Sequence, residues 1–137
     1  MAAFVKFESF SEGLLKGEHN CHADTFRVML TNTAPIVGTH TVLADLTDLA
    51  TSGGYTAGGE DATNTVSRAG GTSSCVGVDI TWTSSGAGFG PFRYAVLYND
   101  THASNALIGY WDYTSSITPA NGETFVADLG TSLFTEA

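Results

Sequence analysis

A chain of 137 residues with 16 glycines, only 14% charged residues and a formal charge of -9 is long enough to bury one core and too acidic to suit phosphate backbones or anionic membranes. Nucleic-acid and lipid partners are set aside on that ground. The glycine content, with abundant Ser and Thr, favours many short strands joined by tight turns over a helical bundle.

No apolar run reaches the roughly 20 residues that a membrane-spanning helix needs. The opening Met1-Ala2-Ala3-Phe4-Val5 lacks a basic start and is interrupted by Lys6 and Glu8, so it does not read as a signal peptide, and synthesis in the cytoplasm is expected. In that compartment Cys21 and Cys75 read as reduced, buried small hydrophobes in preference to a disulfide, which the sequence leaves open.

Phe4, Phe7 and Phe10 recur at spacing three and lead to Leu14 and Leu15, with Glu8, Ser9, Glu12 and Lys16 opposite. This predicts a short amphipathic helix from about Phe7 to Lys16, ending near Gly17 and docked by its apolar stripe, since so short a helix does not persist alone. Residues 1–24 form this helical arm and 25–137 a β-sandwich domain. Glu18, His19, Asn20, Cys21 and His22 follow. No second Cys/His pair completes a zinc set, so they read as a polar linker around one buried thiol, and no metal or other cofactor is expected.

Thr25 to Thr31 alternates Phe26, Val28 and Leu30 against Arg27 and Met29, a strand with one buried face. Thr41 to Ala50 fits either a short helix or an irregular crossover. Gly53-Gly54-Tyr55-Thr56-Ala57-Gly58-Gly59 brackets one aromatic with two glycine pairs; no Lys follows where a phosphate loop needs it. The pairs instead allow positive φ and close backbone approach, with Tyr55 as an anchor beneath a partner. Thr63 to Ala69 and Cys75 to Trp82 are further strands, the second with Val76, Val78, Ile80 and Trp82 toward the core.

Phe92 to Asp100 and Ala106 to Tyr113 are the strongest strand candidates and predict a central hairpin. Phe92, Tyr94, Val96 and Tyr98 fall on one face and Arg93, Ala95 and Leu97 on the other; both are largely apolar, so the hairpin lies mid-sheet with layers above and below. Thr114 to Ser116 and Pro119 to Gly122 predict turns, and Glu123 to Leu129 a last alternating strand. Leu133 and Phe134 are too apolar for a free tail and imply a terminal strand or a tail docked on a neighbour. The fold class expected is mainly β, a single antiparallel β-sandwich of jelly-roll or immunoglobulin-like kind, with a short N-terminal helix.

Leu46-Thr47-Asp48-Leu49-Ala50 before Gly54-Tyr55-Thr56-Ala57-Gly58-Gly59, then Phe92 to Asp100, Leu107 to Tyr113 and Asn121-Gly122-Glu123-Thr124-Phe125, together resemble a group of small virion proteins of tailed bacteriophages. The resemblance spans about Asp24 to Phe134. It implies a capsid decoration (cement) protein on the virion surface, or a tail or baseplate component, and carries no assigned binding residues. An assembly role accords with a weakly charged, strand-rich chain with apolar ends. The expected partners are the major capsid protein and further copies of the chain, as a homotrimer over a local threefold. Expected contact residues are Phe4, Val5, Phe7, Tyr55, Leu133 and Phe134.

Two rival functions are weaker. An enzyme needs a base, nucleophile or metal, yet His19, His22, His40 and His102 fall in linkers and loops, no Gly-x-Ser-x-Gly elbow occurs, and the aspartates match no calcium loop. A glycan-binding module would expose Tyr94, Tyr98, Tyr110, Trp111 and Tyr113 for stacking, but aromatics of central strands are expected in the core.

Overall fold

A computed structural model describes residues 2–136. Two runs with high β propensity, Phe92–Asn99 (β7) and Leu107–Ile117 (β8), pair antiparallel as the central hairpin. Phe26–Thr31 (β2) adds beside β7, while Phe4–Lys6 (β1) and Glu60–Asp61 (β3) complete a five-stranded sheet in the order β1-β8-β7-β2-β3. Thr65–Ala69 (β4), Thr72–Val76 (β5) and the terminal Phe134–Glu136 (β10) form a second sheet, and Ile80–Thr83 (β6) pairs with Thr124–Ala127 (β9). Every strand pairing is antiparallel. The protein is thus mainly β with antiparallel sheets and one short N-terminal helix, Glu8–Leu15 (α1).

Alternation along β2 and β7 sends side chains into a separate core on each face. Phe26, Val28, Leu30, Ala95 and Leu97 meet Cys75, Ile80, Trp82 and Ala127 of the smaller sheets, which gives the layers of a sandwich. Met29, Tyr94, Val96 and Tyr98 meet Phe7 and Leu46, with Val37 and Leu43 of the irregular 35–50 crossover packed behind them. That crossover contains only one 3-10 turn, Leu43–Asp45. β2 is therefore buried on both faces rather than one, because the crossover supplies a second cover.

Several expectations shift. The Phe4-Phe7-Phe10 spacing is divided: Phe4 lies in β1 opposite Trp111, and the helix begins after Phe7. Phe92 leaves the Tyr94 face, because a register irregularity between Phe92 and Tyr94 inverts the alternation, and it packs with Phe89 and Phe125. Cys75 to Trp82 is two strands, since the chain breaks at Gly77-Val78-Asp79; Val78 is 57% exposed instead of core. β8 continues through Thr114 to Ser116, where a turn was expected, with Thr114 at φ 70°. Leu133 and Phe134 resolve as core and terminal strand.

The two cysteines are joined. Cys21 lies in the linker after α1 and Cys75 in β5, with Cα atoms 6.1 Å apart, inside the range a bridge requires. This corrects the reduced-thiol expectation, which rested on compartment alone: the fold brings residues 54 apart in sequence to bonding distance, and spacing could not show that.

Candidate functional site

Of the six residues expected at a subunit contact, Phe7, Tyr55 and Leu133 are buried in their own chain at 1%, 1% and 4% exposure. Phe4 packs at a tilt against Trp111 with ring centroids 4.9 Å apart, and Phe134 meets Phe10 edge-on at 4.8 Å. Only Val5 is openly exposed. The expectation is corrected for Phe7, Tyr55 and Leu133: their apolar bodies complete the protein's own core. Tyr55 can be buried because its hydroxyl donates to Asp48 Oδ1 and accepts the Leu30 N–H. Burial and the adjacent Asp48 carboxylate push its pKa well above that of a free phenol. Asp48 Oδ2 also accepts the Gly58 N–H, while Tyr98 and Arg27 donate to the carbonyls of Gly58 and Gly59. The glycine-bracketed loop is thus tied down from inside.

The glycan-stacking candidates are mostly internal. Tyr94, Tyr98 and Trp111 are buried and Tyr110 and Tyr113 half-buried. The central hairpin presents no open aromatic platform.

Beside an open cavity of about 470 Å³ between Asp112, Tyr113 and Asp128, two further surface features stand out. The first is an apolar groove of about 250 Å³ where Leu14 of α1 faces Val66, Phe134 and the Cys21–Cys75 bridge. It runs beside β4, an outer strand all of whose residues are exposed. Leu15 stands 91% exposed on the neighbouring helix end. The signal for the hairpin that builds this edge was in the sequence: Gly70-Gly71 between two β-prone runs, with Gly70 at φ 60°.

The second is a polar cluster joining the linker after α1 to the β7–β8 loop. Asn99, fully buried, accepts the Thr101 and His102 backbone N–H groups at Oδ1. Its amide therefore points the other way, donating to Glu18 O and Asp24 Oδ2 at 3.2 and 2.8 Å and lying 3.2 Å from His19 Nδ1. The His19 ring borders a cavity of about 260 Å³ shared with His102 and Lys16. The His19 and His102 rings stack 6.3 Å apart, and the His102 ring lies 3.6 Å from Glu18. Among the described residues no group of three or more His, Cys, Asp or Glu side chains converges as a metal site.

Burial, and then His102, hold the His19 pKa below its ordinary value, against the weaker opposing pull of Glu18 and Asp24. Protonation would also set an Nδ1–H against the Asn99 amide hydrogens. The fold thus disfavours the charged form of His19, while the unfolded chain takes up a proton as the pH falls through about 6.5. Stability is lost from there downward until the folded pKa is passed, with a slope of at most about 1.4 kcal/mol per pH unit. Denaturant unfolding at pH 7.5 and pH 5.5 should show this loss in the wild type and a smaller one in His19→Gln; equal losses would remove His19 as the cause.

No family model matches the chain, and no curated protein or solved structure matches it either.

Proposed function

We propose that the chain is a non-enzymatic virion structural protein of a tailed bacteriophage, a capsid decoration protein that stabilises the head through many contacts with the major capsid protein. The observation that carries the reading is the apolar groove lined by the half-buried Leu14 and Phe134 and the exposed Val66, with exposed Leu15 beside it, on an otherwise acidic domain of low charge density. A groove of this kind suits attachment to a protein lattice, where weak sites repeated over a shell gain effective concentration. The resemblance over Asp24 to Phe134 supports the same reading. So does the Cys21–Cys75 bridge, which suits a surface that works outside a reducing compartment.

The test is to mix purified protein with expanded, undecorated heads of the encoding phage, sediment them and count copies bound per head. Saturation at a number set by capsid symmetry is the expected result, with Leu15→Glu reducing occupancy at least tenfold. Absence from heads and presence in purified tails would replace this reading with a tail or baseplate role. The burial of Tyr94, Tyr98 and Trp111 weighs against host-glycan stacking as that role.

A further inference from the structure

The geometry points to β4 as the edge through which two copies of this chain pair, extending the sheet β10-β5-β4 across a two-fold axis at Ser67. This inference stands apart from the virion reading and holds whether or not the protein binds a capsid.

The two-residue turn Gly70-Gly71 makes Ala69 and Thr72 the closing pair of the hairpin. A pair closing such a turn exchanges both backbone hydrogen bonds, and bonded pairs then alternate along the ladder. Thr65, Ser67 and Ala69 are therefore the residues of β4 that bond to β5. Val66 and Arg68 turn their N–H and C=O groups outward, four strand groups facing solvent on the last strand of the sheet. The usual guards of an open edge are missing from Thr65–Ala69, which has no Pro, no Lys and no bulge and carries one charge, Arg68.

A second copy matches these four groups completely. Antiparallel pairing about Ser67 sets Val66 of one copy against Arg68 of the other, twice. The two bonded pairs use all four outward groups on each chain, with Ser67 meeting Ser67 as the unbonded pair between them. No like charges stand directly opposite. Each Val66, 48% exposed in the single chain, gains the aliphatic stem of an arginine over it. The axis is perpendicular to the sheet, so both apolar grooves lie on the same side and continue one another from Phe134 and Cys75 through Val66. The contact is isologous and closes at two copies, so the self-association it supports is two-fold and not the three-fold expected from the resemblance. With -9 on each chain, long-range repulsion opposes pairing, and added salt should strengthen it.

Sedimentation velocity of the wild type over a concentration series should show about twice the 14.3 kDa chain mass at tens of micromolar, with more dimer at higher salt. Val66→Pro removes an outward N–H that the chain's own sheet does not use, and Ser67→Lys sets two ammonium groups face to face at the axis from an exposed position. Both should weaken dimerisation at least tenfold, Ser67→Lys with an unchanged melting curve at concentrations low enough for the wild type to be a single chain. If Val66→Pro unfolds, Ser67→Lys decides. A wild type of single-chain mass throughout overturns the inference. So does a dimer that the folded variants leave intact.

Discussion

Opening the Cys21–Cys75 bridge should destabilise the protein by about 4 kcal/mol, the chain-entropy cost of releasing a loop whose ends are 54 residues apart. For a chain of this length that corresponds to a fall in Tm of roughly 10 to 15 °C. The bridge also has a local task. Cys21 lies six residues beyond the end of α1, and the helix is only eight residues long with no side-chain cap at its N-terminus, so little in its own sequence holds it. The covalent link ties the linker after the helix to β5, near the Phe10–Phe134 contact. Thermal melts followed by circular dichroism, with and without reductant and in the Cys21→Ser/Cys75→Ser double variant, should show this drop in both forms. Hydrogen exchange in the reduced protein should rise first across Glu8–Leu15. A Tm unchanged within two or three degrees would mean that the loop is already confined by noncovalent packing alone.

The mainly β fold was legible because the strongest local signals and the tertiary structure agree. The aromatic runs of β7 and β8 are strand-formers by propensity, and packing buries both faces as their composition implied. Asn121-Gly122 was likewise legible as a turn, with Gly122 at φ 86°. What could not be read was anything fixed by a remote partner. Tyr55 looked like an anchor awaiting another subunit because an aromatic between glycine pairs carries no sign of direction. Its burial depends on Asp48 and the Leu30 N–H, brought to its hydroxyl by the crossover and by β2. His19 and Asn99 lie 80 residues apart, and neither segment alone marks the contact. The Phe92 inversion came from a break in register, where β7 advances from Phe92 to Tyr94 while its partner steps from Ile117 to Asp112, and period-two counting cannot foresee that. The apolar groove was not legible because it is assembled from α1, the Cys21 linker and all three strands of the second sheet, none of which is unusual alone.

Gly59→Ala should cost about 3 to 5 kcal/mol, while Gly70→Ala should cost only about 1. Both glycines have positive φ, 76° and 60°, so both substitutions carry the penalty of a left-handed backbone. They differ in what the added methyl group meets. At Gly70 nothing lies within 4 Å, as expected at the tip of an exposed hairpin. At Gly59 the new carbon would fall 1.8 Å from the Val28 carbonyl oxygen and 2.8 Å from the Met29 Cα, both backbone atoms of a central strand that cannot swing aside. Relief requires the 58–59 segment to lift from β2. That movement would pull on the Arg27 bond to the Gly59 carbonyl, the Tyr98 bond to the Gly58 carbonyl and the Asp48 bond to the Gly58 N–H, and with Asp48 the support under Tyr55. The clash therefore reaches the buried polar network and both cores. Urea unfolding of the two variants in parallel checks the argument: a large difference in midpoint with similar slopes is expected. Equal midpoints would show that Gly59 is needed only for its φ, and that β2 and the glycine loop approach each other less closely than 1.8 Å implies.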